Sequence, residues 1–157
     1  WMDGIVVRAL ARDDHRRGYF GLLAELTSAP ELSAEAFEAR FDEMFALGEG
    51  GQRRTMYETI VAVDTREDRV VATATAIYEL KFLRAAATCA HIEDVVVRSQ
   101  SRGLGLGKVL VQQLVESAAA RGCYKVILDC DESNVEFYTK CGLKRKEVQM
   151  VKYLNPP

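Results

Sequence analysis

Val95-Val96-Val97-Arg98-Ser99-Gln100-Ser101-Arg102-Gly103-Leu104-Gly105-Leu106-Gly107-Lys108 is the stretch that decides the fold of this chain. Three valines end an apolar run. A short polar stretch follows, and three alternating glycines then open a segment of helical periodicity that runs to about Arg121 and stops at Gly122. Strand, glycine loop and helix in that order bring free backbone N–H groups and the positive end of a helix dipole to one point, which suits a phosphate. Two familiar phosphate loops are excluded. A nucleoside-triphosphate loop needs Gly at 102 and Ser or Thr at 109, where the chain has Arg102 and Val109. A dinucleotide fingerprint counted from Gly103 needs Gly or Ala at 108, which is Lys108.

Working outward, Thr88–Val97 is a strand, and before it residues 57–63 and 69–83 flank the turn-like 64–68 as a hairpin. Ile5–Ala9 reads as a first strand. Asp13 or Asp14 caps a helix with Tyr19, Phe20, Leu22, Leu23 and Leu26 inward, ending near 27–30. Ser33 caps a second helix with Phe37, Phe41, Met44, Phe45 and Leu47 inward, broken by Gly48-Glu49-Gly50-Gly51. After the long helix come a buried strand at 124–130, a short helix at 133–140 stopped by Gly142, and a last strand at 143–154. This order predicts an α/β (α+β) domain over residues 1–157, with a mixed central sheet and helices on both faces.

With 157 residues, 48% hydrophobic, the chain can build one ordinary core, and its net charge of −2 argues against a general nucleic-acid binder. No apolar run approaches the roughly 20 residues of a bilayer span. Cys89, Cys123, Cys130 and Cys141 form no C-x-x-C pair, so neither a metal site nor a disulfide framework is expected. The first residues lack a basic segment followed by an apolar stretch, which points to the cytoplasm, with an organelle also compatible.

The R-x-x-G-x-G spacing of Arg102, Gly105 and Gly107 after a valine-rich strand resembles the GCN5-related N-acetyltransferases. The resemblance implies acetyl-coenzyme A as co-substrate and no metal. It puts Arg102, Gly103, Leu104, Gly105, Leu106, Gly107 and Lys108 on the pyrophosphate and Val95, Val96 and Val97 along the pantetheine arm, joined by Asn134, Phe137 and Tyr138. His91 to Val97, Cys123 to Cys130 and Asn134 to Leu143 further resemble the branch of that family that acetylates the 2-amine of glucosamine 6-phosphate, on the route to UDP-N-acetylglucosamine. That resemblance implies a homodimer with active sites at the interface and a C-terminal strand crossing between subunits.

The residue types fit such chemistry. A phenol at Tyr138 can protonate a departing thiolate; otherwise it is a core aromatic at helical spacing. Glu93 and Asp94 are consecutive on a strand, so simple alternation turns them to opposite faces. By resemblance they hold and position the sugar amine, and Asp129 contacts the amine or hydroxyls. An ammonium must lose a proton before it attacks, and sequence leaves the base open, with water held by Glu93 or Asp129 both compatible. The Val95 N–H is the natural donor to the carbonyl oxygen. Lys81, Arg84 and Lys125 are candidate phosphate cations by position, with Thr27 as a hydroxyl donor and Phe82, Leu83 and Tyr124 alongside. Relatives place an arginine near the end of the last strand, where this chain reads Met150-Val151-Lys152-Tyr153, so Lys152 can supply that charge only from a different side-chain direction or in a shifted register. His91 reads as structural. Two competing readings share this sequence: an acetyltransferase for another small amine or a peptide, and a non-catalytic acetyl-coenzyme A binding domain.

Overall fold

The β-branched stretches pair largely as their patterning requires. In the computed structural model, which describes residues 3–45 and 56–154, five strands form one sheet in the order β1-β2-β3-β4-β5. These are β1 (Ile5–Ala9), β2 (Tyr57–Asp64), β3 (Arg69–Leu80), β4 (Thr88–Val97) and β5 (Cys123–Ile127). The first four are antiparallel neighbours, and β5 runs parallel to β4, so the sheet is mixed.

Helices cover both faces. On one, α4 (Leu106–Ala120) buries Leu106, Leu110, Val111, Leu114 and Ala118 at helical spacing against Ala62, Ala72, Ala74, Ala76 and Ala90. The small alanines of the strands let the helix approach closely. On the other, α1 (Tyr19–Leu23) and α2 (Ala34–Phe45) bury Phe20, Leu22, Phe37 and Phe41 against Val61, Val63, Val70 and Val96. Ser33 caps α2 as expected, its Oγ accepting from the Ala36 N–H at 3.2 Å. The breaker Gly48–Gly51 and Leu47 lie outside the described residues.

Several elements differ from the sequence expectation. The first helix is split, because Gly18 at φ 74° ends a 3-10 turn (Asp14–Arg17) before α1 begins, and Leu26 is exposed. Asp14 caps nothing in the usual sense. It is fully buried, accepting from Arg8 at 2.7 Å and from the Ala11 N–H at 2.8 Å, and pairs with Arg17 at 3.2 Å. Burial works against its charge, but these donors outweigh it and hold the carboxyl below its usual range. A lowered carboxyl contributes stability that is full above the ordinary carboxylate range near pH 4 and fades as pH falls through the folded value. Asp14→Ala is expected to cost about 2–3 kcal/mol in urea denaturation at pH 7, with the gap to wild type narrowing in acid.

Strand β3 stops at Leu80, and a single turn α3 (Leu83–Ala86) with Arg84 and Ala85 in left-handed backbone replaces its predicted end. Strand β5 stops at Ile127, not at residue 130. Residues 143–154, predicted as a last strand, take no place in the sheet. This arm turns Val148, Met150, Val151, Tyr153 and Leu154 to solvent, and a cavity of about 790 Å³ lies between its first half, β5 and the helix α5 (Val135–Lys140). An apolar alternation pairs only where a neighbouring strand is available, and the described residues present none to the arm.

Candidate active site

The pairing of β4 with β5 ends at His91 opposite Ile127, whereas β4 continues to Val97. From Ile92 onward β4 is therefore unpaired on its β5 side, and an opening lies between it and the edge strand β5. At the same place β4 carries a bulge: Thr75 pairs with Glu93 and Thr73 with Val96, leaving Asp94 and Val95 opposite Ala74 alone. Asp94 takes φ 53° to make this possible. The extra residue resets the alternation. Val95 and Val97 pack toward the α4 side and Val96 is buried on the α1 side. Val96 can therefore line the opening only through its backbone. Strict alternation between Glu93 and Asp94, expected from sequence, does not hold across this bulge.

The glycine loop sits at the wide end of the opening. Among the described residues, the backbone N–H groups of Gly103 to Lys108 find no acceptor in the chain. Gly103 and Gly105 lie at φ 81° and 79°, and a Cβ added to either would meet nothing within 4 Å, so the loop presents open backbone. Gly107 serves a different end. Its missing Cβ would lie 3.1 Å from Phe137 Cζ and 3.4 Å from Val97 Cγ2, so glycine here lets α5 dock on the start of α4. Leu106 points into the core, leaving only its amide to the loop, while Leu104 and Lys108 are exposed.

Two residues not singled out in the sequence anchor this loop. Arg98 is buried, its guanidinium donating to the Gly18 carbonyl at 3.1 Å, and Glu25 accepts from the Ser99 N–H at 2.7 Å while lying 3.5 Å from Arg98 and 3.7 Å from Arg102. Arg102 also donates to the Val97 carbonyl at 3.1 Å, tying the loop to the end of β4. The ion pairs span more than 70 positions of sequence, which no local pattern signals.

At the narrow end, Tyr138 on α5 is half-buried and packs edge-on to Phe137 at 4.9 Å. Burial first, then Cys130, Cys141 and the Glu93 carboxylate, push its phenol up to about 12, so it carries its proton throughout the neutral range. Burial also raises Glu93, with Asp94 and Asp129 adding to the shift and His91 opposing it, and burial raises Asp94. His91, read as structural from sequence, sits between the carboxylates. Its Nε2 is 3.2 Å from Glu93 and 3.3 Å from Asp129. Asn134, just before α5, is exposed and its N–H bonds the Asp131 carbonyl at 2.9 Å.

The candidate phosphate cations do not form one cluster. Arg84 lies over the Tyr124 ring at 5.0 Å with Lys125 at 5.7 Å, which gathers two of them around Tyr124 at the start of β5. Lys125 also lines the cavity shared with Asp129 and Tyr138, as do Lys144, Arg145 and Lys146, which sequence reasoning did not select. Lys81 is held by Glu79. Thr27, Phe82, Leu83 and Lys152 are exposed, and Lys152 lies on the unpaired arm. Among the described residues no helix is long and apolar enough to cross a membrane.

Comparison with known proteins agrees with this geometry. The sequence profile of the acetyltransferase (GNAT) family matches residues 15–143. Glucosamine 6-phosphate N-acetyltransferase 1 of Oryza sativa subsp. japonica is 44% identical over 147 residues, covering 94% of this chain and 86% of the relative. The enzyme of the same name from Dictyostelium discoideum is 41% identical, with 99% of this chain and 94% of the relative covered. The crystal structure of glucosamine-6-phosphate N-acetyltransferase from Arabidopsis thaliana superposes with a TM-score of 0.89 at 38% identity, covering 96% of this chain and 99% of that one. An opening in the sheet beside a loop of free amides, and the matches to these sequences and this structure, lead to one assignment: the chain belongs to the acetyltransferase (GNAT) family, alongside the glucosamine 6-phosphate N-acetyltransferases.

Proposed function

We propose that this chain transfers the acetyl group of acetyl-coenzyme A to the 2-amine of D-glucosamine 6-phosphate by direct attack in a ternary complex. The observation that carries the reading is the opening between β4 and β5, with free loop amides at one end and Tyr138, Glu93 and Asp129 at the other. The co-substrate supplies a thioester. The chain's own residues supply the rest. The amides from Gly103 to Lys108 and the α4 dipole hold the pyrophosphate, the open edge of β4 offers hydrogen bonds to an extended amide chain, and the Val95 N–H stabilises charge on the carbonyl oxygen. The acceptor enters as an ammonium ion and loses two protons in all. The first goes to a carboxylate and then to solvent, and freeing the nitrogen lone pair lets the new C–N bond form. Tyr138 gives its own proton to sulfur as the C–S bond breaks, and regains one from the second that nitrogen sheds.

Lys125 and Lys144 line the acceptor cavity, and neither makes an ion pair among the described residues. Lys125→Ala is expected to raise KM for glucosamine 6-phosphate about tenfold while leaving KM for acetyl-coenzyme A unchanged. The deciding assay compares thiol release with glucosamine 6-phosphate, glucosamine and a lysine peptide. Turnover confined to the phosphorylated sugar supports the proposal; turnover of the peptide or glucosamine instead would replace the acceptor and keep the transfer chemistry. The reading includes a homodimer in which the apolar arm of residues 143–154 packs on a second copy, and sedimentation showing a monomer at micromolar concentration would remove that part.

A further inference from the structure

We propose that His91 is a positioning residue of this transfer reaction, its imidazole locking the Glu93 and Asp129 carboxylates in place at the narrow end of the opening so that Glu93 takes the proton from the arriving ammonium. The inference rests on the acetyl-transfer reading above and deepens it, because it chooses among the bases that the sequence leaves open.

The geometry is specific. His91 and Glu93 are two apart on β4 and share a face, and Asp129 follows β5 immediately beyond the last β4–β5 pair, His91 with Ile127. One ligand atom from each residue lies within 4.8 Å of the others. The His91 Nε2 is wholly buried, stands 3.2 Å from one carboxylate and 3.3 Å from the other, and is aligned for a full hydrogen bond with neither. A buried ring nitrogen facing two carboxylate oxygens is tolerable only when it carries a proton toward them, since its bare lone pair would face theirs. Gln149 also donates to the Asp129 Oδ2 that faces His91, at 3.1 Å. The charged and titratable groups around the ring are thus Glu93 and Asp94 on β4, Asp129 after β5, Glu79 on β3 and, beside Glu93, Tyr138 on α5. In the step itself an N–H bond of the ammonium breaks, an O–H bond forms on Glu93, and the electron pair stays on nitrogen for attack. Asp129 holds the amine.

The test is steady-state kinetics across pH on wild type, His91→Phe and His91→Gln, read on whichever amine the wild type acetylates, so that a changed acceptor would not decide this question. Phenylalanine keeps the ring volume without a nitrogen, and glutamine restores an N–H near the Nε2 position. His91→Phe is expected to lower kcat by about 10- to 100-fold with KM for acetyl-coenzyme A unchanged. The acidic limb of its pH profile moves upward, because Glu93 loses the neighbour that opposes its raised affinity for protons. Glutamine is expected to recover most of kcat. Wild-type kcat and an unmoved acidic limb in His91→Phe would overturn the proposal, as would equal impairment of the two variants with that limb unmoved.

Discussion

Gly105→Glu is expected to abolish measurable acetyl-coenzyme A binding, a loss of at least about 100-fold by isothermal titration, while the protein stays folded. Two effects combine. The backbone at φ 79° disfavours any L side chain by about 1–2 kcal/mol, and a carboxylate at the start of α4 sets negative charge where the loop amides receive a pyrophosphate. Because a Cβ at this position meets nothing within 4 Å, the side chain has room and the fold is not forced apart. Gly105→Ala separates the contributions: it retains the strain without charge, and a loss of under about tenfold is expected. Unchanged affinity in the glutamate variant, with an unchanged melting temperature, would remove the loop from the pyrophosphate site.

Tyr138→Phe is expected to reduce kcat by about 100- to 1000-fold with acetyl-coenzyme A affinity preserved within about twofold, the pattern for loss of a group that acts as the bond breaks. The packing against Phe137 survives the change, so thermal melting should barely move. The pH profile gives a second reading. Since the phenol is pushed up to about 12, the wild-type rate should rise as Glu93 loses its proton and show no fall caused by Tyr138 below about pH 11. Stopped-flow detection of thiol release checks both. A phenylalanine variant with wild-type kcat would make Tyr138 a packing residue.

Sequence carried the five paired strands, apart from the ends of β3 and β5, together with both helical faces and the loop, because each rests on local chemistry. Thr88–Val97 is strand by its β-branched residues, and α4 begins where glycines stop and apolar spacing starts. What it missed depended on contacts between distant segments. The bulge at Asp94 is set by pairing with β3, so alternation applied to Glu93 and Asp94 failed. Asp14 resembles a cap until Arg8 and Arg17 enclose it. The placement of His91 beside Asp129 follows from the parallel β4–β5 register, although its spacing of two from Glu93 could have suggested half the cluster. The arm at 143–154 has strand composition without a neighbouring strand among the described residues, so composition alone misassigned it.

The opening in the sheet has a further consequence. A run of unpaired backbone donors and acceptors is a template for any passing polypeptide in extended form, and sheets usually hide such edges to avoid aggregation. Here the exposed edge is the short part of β4 beyond its last pair with β5, beside α4, and its middle carries a kinked, charged residue in left-handed backbone, Asp94. Regular strands cannot keep register past that point. One extra residue thus permits entry to a slender ligand while denying a flat hydrogen-bonding partner to misfolded chains, so guarding the protein's solubility falls to the same six positions that line its chemistry.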